Sequence, residues 1–371
     1  MSSTAGTAAP VEVGGRRLMV GSEAVGEAMI AAGCRFFAGY PMTPFTEVLE
    51  HMAKRLPEVD GICMNAESEI EAVGMAWGAA ATGALAATGS TGQGLSLMQE
   101  ALAEITLARL PLVVLNMARG QGDYYQATRG GGHGDYRHVV LAPKDAPEAI
   151  ALLGLAFELT VAWRNPVVVL ADYYLAHTTQ SVRIPAPVSC DVPHWALDGS
   201  SGGSGDAKLI SFLGEAKQRH GAGYDLSDHY QACAAATTAM IEGVAPLAEA
   251  HHTEDADVVV VAFGTPARYA LAAVRQLRAE GARVGMVRPV TLFPFPSAAV
   301  AAAAAGSRVV AVYENNQGQM IDDVRLAVLG AAEVAFIGGL SVDSSGFGIA
   351  PDLDTAVLGN RIGAVLDGLA P

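Results

Sequence analysis

"CRFFAGYPMTPFTEVLEHM", residues 34–52, changes character halfway along. The apolar run Cys34-Arg35-Phe36-Phe37-Ala38 reads as a buried strand and stops at Gly39-Tyr40-Pro41, after which Phe45, Val48, Leu49 and Met52 recur at helical spacing. A strand that turns directly into a helix is the repeating unit of a parallel α/β sheet. Pro41 and Pro44 fix two φ angles in the turn. Thr43 stands before a proline suited to the first helical position and is expected to cap the helix. A cap uses one hydroxyl, so a turn with two prolines, Thr43 and Thr46 carries more polar chemistry than a helix start requires.

The same unit repeats outward from this stretch. "GICM", "ALAATG", "PLVVLNM" and "PVVVLAD" read as strands separated by helices as far as about Tyr174. Asp145-Ala-Pro-Glu148 opens the helix "APEAIALLGLAFELTVAW" as a capping box, and Pro166 marks its end. Residues 183–252 change texture: a Pro-, Gly- and Ser-rich stretch precedes "HYQACAAATTAMIEGVAPLAEA", read as helical throughout. From Asp257, "DVVVVAFG", "RVGMVRP", "RVVAVYE" and "EVAFIGG" resume the alternation. The expectation is an α/β protein with a parallel-sheet domain over 17–182, a connecting segment over 183–252 and a smaller parallel-sheet domain over 253–371.

Composition narrows the partners. The 371 residues carry 23 Lys and Arg against 38 Asp and Glu, a net charge of −15. With no basic run to offset that field, nucleic acid and anionic membrane are expected to be poor partners. Neither the N-terminal residues nor "PSAAVAAAAAG" has the length and apolarity of a signal or a span, so a cytoplasmic location is expected. Cys34, Cys63, Cys190 and Cys233 show no Cys-x-x-Cys spacing and no evident pairing with histidine, so neither an iron–sulfur cluster nor a metal site is expected in this chain.

In open parallel sheets, ligands bind beyond the carboxyl ends of the strands. The turns there read "YPMTPFTE", "NAESEIEA", "GSTGQGLS" and "ARGQGDYYQATRGGGHGDYRH". Gly89-Ser-Thr-Gly92-Gln-Gly94 has the spacing of neither a dinucleotide fingerprint nor a Walker loop. Glu67, Glu69 and Glu71 crowd a helix start, where the macrodipole favours acids; the apolar residues that follow suggest a buried helix. A carboxyl group drawn out of water at the mouth of that helix is suited to proton transfer. Asp123, Tyr124 and Tyr125 read as rim residues at a subunit contact, and Glu314-Asn315-Asn316 as an interface or turn feature.

Several motifs in order carry a resemblance. Gly39-Tyr40-Pro41-Met42-Thr43-Pro44, Ala66-Glu67-Ser68-Glu69, Leu97-Met98-Gln99-Glu100, Tyr125 through Arg137, Arg288-Pro289-x-x-Leu292-Phe293-Pro294-Phe295-Pro296 and Glu314-Asn315-Asn316-Gln317-Gly318-Gln319-Met320 resemble the 2-oxoacid:ferredoxin oxidoreductases. The match runs collinearly over about residues 17–345, and it is nearest to the alpha-type subunit of the 2-oxoisovalerate enzymes. The resemblance implies a thiamine diphosphate-binding pyrimidine-type domain followed by a transketolase C-terminal-like domain. It places Glu69 on the aminopyrimidine ring nitrogen, where the acid promotes loss of the thiazolium C2 proton. Thr43 falls on the residue facing the substrate, and Arg119 on the one holding its carboxylate. Pro41, Thr43, Gly92 and His133 join Glu69 as expected cofactor-binding residues, with His133 lining the cofactor or substrate cleft.

What the family implies beyond this chain follows from what is missing. There is no Gly-Asp-Gly stretch, and the Asn315-Asn316 pair has none upstream, so the diphosphate, its Mg²⁺ and at least one [4Fe-4S] cluster are expected in a beta-type partner subunit, with a gamma-type subunit as a further component. The implied reaction is oxidative decarboxylation of a 2-oxoacid to acyl-CoA, with electrons passed to ferredoxin. Two departures adjoin the substrate position: the loop after Arg119 is short, and Phe45 replaces a polar residue. Phe45 as nonpolar surface, with Arg119 as the one arginine placed for a carboxylate, points to a branched-chain or aromatic 2-oxoacid. The alternatives are a relative acting on an unusual 2-oxoacid or another acyl or electron acceptor, and a non-catalytic scaffold.

Overall fold

The computed structural model describes residues 15–188, 195–197, 223, 225–340 and 353–369. A seven-stranded sheet carries the first half of the chain, in the order β12-β6-β7-β5-β4-β2-β3. Its strands are β2 (Phe36–Gly39), β3 (Ile62–Asn65), β4 (Ala86–Ser90), β5 (Val113–Ala118), β6 (Val139–Leu141) and β7 (Val167–Asp172), all parallel, with β12 (Thr291–Phe293) antiparallel on the edge. Every residue of β5 and β7 is buried because helices cover both faces, which is why these strands read as unbroken apolar runs. Alternate residues serve opposite layers. Val113, Leu115 and Met117 pack with α1 (Gly21–Ala31), α2 (Thr46–Arg55) and α6 (Ala146–Trp163); Val114 and Ala118 pack with α3 (Glu69–Ala81) and α4 (Gly92–Leu107).

The second sheet has the order β14-β13-β10-β11-β9, from β14 (Glu333–Phe336), β13 (Val309–Val312), β10 (Val258–Val261), β11 (Val284–Pro289) and β9 (Ala248–His251). On one side lie α9 (Gly264–Ala279) and α12 (Thr355–Asp367); on the other lie α10 (Ser297–Ala304) and α11 (Met320–Val328). The latter side shares one apolar core with the α3/α4 face of the large sheet, where the Tyr124 and Phe263 rings sit 5.6 Å apart.

Several local expectations change. The helix after the 39–45 turn begins at Thr46, and its N-cap residue is Phe45, with no side-chain cap. Met42 C=O accepts the Phe45 and Thr46 N–H groups at 2.7 and 3.2 Å, so backbone does the work assigned to the Thr43 hydroxyl. Asp145 accepts the Glu148 N–H at 2.9 Å, but the Glu148 carboxylate reaches Lys144 N at 2.8 Å and does not close a reciprocal box. "HYQACAAATTAMIEGVAPLAEA" is helical only within α8 (Leu226–Gly243); beyond Pro246 the chain becomes β9, antiparallel to β11. Helix α3 buries one face, while Met75 and both of its glycines remain exposed.

Burial pushes the Cys34 thiol up to about 12 and the Cys63 thiol to about 11, so both stay protonated near neutrality. Cys233 does meet a histidine one helical turn away, with Sγ 3.3 Å from His229 Nε2. Cys190 lies outside the described residues. Among those residues, α6 alone has the length and composition of a membrane span, and it packs as a core helix against α1 and β7.

A buried cation joins the sheets. Arg288 of β11, 2% exposed, donates to both Glu148 oxygens at 3.0 and 2.5 Å and to Glu249 at 2.9 Å, while Lys144 Nζ reaches Glu249 at 2.7 and 2.9 Å. The Arg288 hydrogen bond, then that of Lys144, holds the Glu249 carboxyl at about 2, below its ordinary 4.5. A carboxyl depressed in the folded state adds stability that is complete above the ordinary value and disappears as pH falls toward the folded one. Denaturant midpoints should therefore fall as the pH drops from about 4.5 to about 2. Glu249→Gln should be less stable at neutral pH and lose less over that window. Arg288→Ala, which strands Glu148, should cost about 3–5 kcal/mol.

Candidate active site

Four neighbouring strands, in the order β5-β4-β2-β3, end at one rim and deliver the turns singled out in the sequence. Thr43 lies in the turn after β2, Glu69 follows β3, Ser90 ends β4 with Thr91 next, and Arg119 follows β5. The turns bind one another. Arg119 Nε donates to the Thr43 carbonyl at 2.8 Å, and the Thr91 hydroxyl reaches Met42 Sδ at 2.8 Å.

Of the three glutamates, Glu67 and Glu71 are exposed and local. Ser68 caps α3 by accepting Glu71 N–H at 3.3 Å, and Glu71 reaches back to Glu67 N at 2.9 Å. Glu69 is 2% exposed. Its Oε1 accepts the Ser90 hydroxyl at 2.8 Å, and its other oxygen takes no hydrogen bond from the described residues. Sequence reasoning gives Ser90 no role, and the available signal is a hydroxyl at the carboxyl end of a buried strand. Gly94 makes the pair possible, because a Cβ there would lie 2.0 Å from Ser90 Oγ and 2.5 Å from Glu69 Oε1.

Gly92 starts α4 against Asp123, whose Oδ1 would lie 2.2 Å from a Cβ at that position. Burial pushes the Asp123 carboxyl up, against the hydrogen bonds from Asn116 and Gln126. Asn116 Oδ1 is buried beside it without a hydrogen bond. Pro41 is exposed at the turn. His133 pairs with Glu104 on the outside of α4 at 3.0 Å and, among the described residues, makes no hydrogen bond to Thr43, Glu69 or Arg119. Its glycines wrap Tyr136, whose hydroxyl accepts Gly131 and Gly132 N–H at 2.9 and 2.8 Å and donates to Gln99 at 2.7 Å.

Phe45 does not face this rim. It is fully buried under the turn, 5.9 Å from the Phe37 ring, in space left by two glycines: Cβ atoms at Gly39 and Gly89 would lie 2.7 and 2.6 Å from it. It offers a substrate no surface.

The loop carrying Arg119 is set by the second sheet. Glu314, fully buried, accepts Gln319 N, Met320 N, Ile321 N and Asn316 Nδ2 at 2.8–3.0 Å. Asn316 Nδ2 also reaches the Gln121 carbonyl at 2.9 Å, and Gln121 Oε1 accepts Asn315 N at 2.9 Å. The Tyr124 hydroxyl donates to Asp323 at 2.5 Å, Tyr125 to Asp322, and Arg129 grips Asp323 with both terminal nitrogens at 3.1 Å. Asp123, Tyr124 and Tyr125, read as a subunit rim, thus lie in or beside a contact within the chain.

Residues 27–194 match the family model described as pyruvate flavodoxin/ferredoxin oxidoreductase, thiamine diphosphate-binding, and residues 256–344 match pyruvate:ferredoxin oxidoreductase core domain II. The ketoisovalerate oxidoreductase subunit VorB of Methanothermobacter thermautotrophicus is 37% identical over 84% of this chain and 89% of its own. The chain belongs to the 2-oxoacid:ferredoxin oxidoreductases. It is an alpha-type subunit of that family, and its relatives include the 2-oxoglutarate synthase subunit KorA of Methanothermobacter marburgensis, 32% identical over 85% of this chain and 92% of that one. Among solved structures, the 2-oxoglutarate:ferredoxin oxidoreductase of Magnetococcus marinus superposes with a TM-score of 0.79 at 26% identity, over 94% of this chain and 65% of that one. A split-gene transketolase shares the fold at a TM-score of 0.56 and 16% identity.

The residues present fit the pyrimidine half of thiamine diphosphate, since Glu69 keeps one oxygen free at the rim. Among the described residues, the stretch at Asn315 and Asn316 does not form a Mg²⁺ site for the diphosphate half. Asn316 and Glu314 are spent on Gln121 and the start of α11, leaving them unavailable to a Mg²⁺.

Because a methyl at Gly94 displaces either Ser90 or Glu69, Gly94→Ala should lower turnover of the assembled complex at least about tenfold while the chain still folds. Gly154→Ala in α6, where a Cβ meets nothing within 4 Å, should leave turnover at the wild-type value. Steady-state assays with circular dichroism on both variants check this.

Proposed function

We propose that this subunit supplies the pyrimidine-binding and substrate-carboxylate half of a thiamine diphosphate-dependent site that oxidatively decarboxylates a branched-chain 2-oxoacid to acyl-CoA. A beta-type partner brings the diphosphate ligands, Mg²⁺ and a [4Fe-4S] cluster and passes electrons to ferredoxin in the cytoplasm. The observation that carries the reading is the pairing, on one rim, of a buried carboxyl group with a free oxygen and a guanidinium with free terminal nitrogens.

Bound thiamine diphosphate supplies the carbon nucleophile that attacks a 2-oxo carbon. Glu69 holds the proton exchanged with the ring nitrogen, and Ser90 fixes which oxygen faces it. Arg119, anchored through Nε to the Thr43 carbonyl and attracted by the nearby Asp123 carboxyl, presents terminal nitrogens that make no hydrogen bond to the described residues, as a fork for the substrate carboxylate. That anchor answers why the turn is so elaborate: Thr43 is placed by its backbone as much as by its hydroxyl. Retention of Thr43, Glu69 and Arg119 together argues against a scaffold without chemistry. The branched-chain assignment rests on Arg119 as the one cation placed at the rim among the described residues and on the 37% identity to VorB, since Phe45 is buried.

The test is reconstitution with the partner subunit. The chain alone should show no tight Mg²⁺-dependent binding of thiamine diphosphate by calorimetry. The complex should reduce ferredoxin with a kcat/KM at least about tenfold higher for 3-methyl-2-oxobutanoate than for 2-oxoglutarate, about 1.4 kcal/mol of discrimination. Tight binding by the isolated chain overturns the half-site, and preference for 2-oxoglutarate overturns the substrate.

A further inference from the structure

Away from the rim, a groove of about 520 Å³ runs between α9, the β9/β11 edge of the second sheet and the start of α6. Its floor is the Arg288–Glu249–Lys144 network, where the charges are already matched. Its wall is not. Arg268 and Arg275 both line the groove from α9, and the described residues give neither an ion pair nor a hydrogen bond. Seven positions apart, they share one helix face about 10 Å apart along the axis. His251 also lines the groove; its Nε2 is itself buried without a hydrogen bond, 3.7 Å from Glu249 Oε2.

With Lys144 and Arg288 matched by Glu249 and by Glu148 behind the floor, Arg268 and Arg275 face Asp145 alone, which leaves the groove net positive on a chain whose net charge is −15. Such a local reversal of sign concentrates an anion there. Two guanidiniums held apart along a helix, with their N–H forks free, suit a ligand with several phosphate oxygens. Tyr269, Leu271 and Met286 add aromatic and apolar surface to the same groove, and its volume matches a ligand much larger than inorganic phosphate.

We propose that this groove binds a phosphorylated small molecule of nucleotide size, its phosphates held by Arg268 and Arg275 and its other end lying against the His251 ring. The site is separate from Thr43, Glu69 and Arg119, none of which lines it. Its occupancy can be measured without turnover, so it stands or falls independently of the catalytic reading.

The probe is ADP, titrated by calorimetry into the full chain, with Arg268→Gln, Arg275→Gln and the double variant alongside. Saturable one-to-one binding is expected, weakened about tenfold or more by each substitution, the scale of a lost charge-assisted contact. Both arginines are exposed, so unfolding midpoints should be unchanged. An NMR shift of the His251 imidazole on ADP addition, lost in the double variant, places the ligand. Coenzyme A in a competition arm separates two sources of the same chemistry: displacement of ADP makes the groove a seat for the acyl acceptor's nucleotide, and indifference makes it a separate nucleotide site. Absence of ADP binding at millimolar concentration, or binding that the double variant leaves intact, overturns the proposal.

Discussion

The Arg119 side of the rim depends on a carboxylate wholly buried from water. Glu314 closes the free N–H groups at the start of α11, where an acid is favoured by the helix dipole, and turns Asn316 onto Gln121. From that point the second sheet dictates the first. Asp322 and Asp323, in the first turn of α11, hold Tyr125, Tyr124 and Arg129, so the segment from Arg119 to Arg129 is gripped along its length. Arg119 therefore reaches Thr43 from a fixed origin. Removing the Glu314 carboxylate would leave buried backbone donors unsatisfied and release the loop at once, because each donor's desolvation cost of about 1–3 kcal/mol is met by this one group.

A second set of contacts keeps the sheets in register behind the rim. Arg288 binds the α6 start to β9, and Asp172, at the end of β7, caps α7 (Tyr173–His177) through Leu175 N and takes the Thr265 hydroxyl at the start of α9. Burial pushes the Asp172 carboxyl up, and these hydrogen bonds oppose it. Strand β12 crosses from the second sheet to the edge of the first. The two halves share one core, so the second acts as a template for the site carried by the first.

The alternation of strand and helix was legible because parallel strands covered on both faces must be apolar throughout, as Val113–Ala118 and Val167–Asp172 are. What escaped was decided by distant neighbours. Ala248–His251 has no strand composition and becomes β9 only because β11 offers an open edge; Thr291–Phe293 likewise pairs only because β6 is near. Thr43 reads as a cap until the Met42 carbonyl is seen in that role. Phe45 reads as surface because the space that hides it is made by Gly39 and Gly89 on two separate strands. Spacing left three glutamates equivalent. Resemblance singled out Glu69, and the fold shows a physical difference: it alone of the three is buried, held by Ser90 in room that Gly94 leaves.

The account turns on that carboxyl group. The most direct measurement is hydrogen–deuterium exchange at the thiamine C2 position in the assembled complex, comparing Glu69→Gln with Glu67→Gln. Glutamine keeps the size and some hydrogen bonding of residue 69 but cannot hold the proton. Exchange should slow by roughly 10²–10⁴-fold in Glu69→Gln, the scale of acid–base assistance, and stay at the wild-type rate in Glu67→Gln. Wild-type exchange in Glu69→Gln with slow exchange in Glu67→Gln would contradict the account and move the site to the other acid.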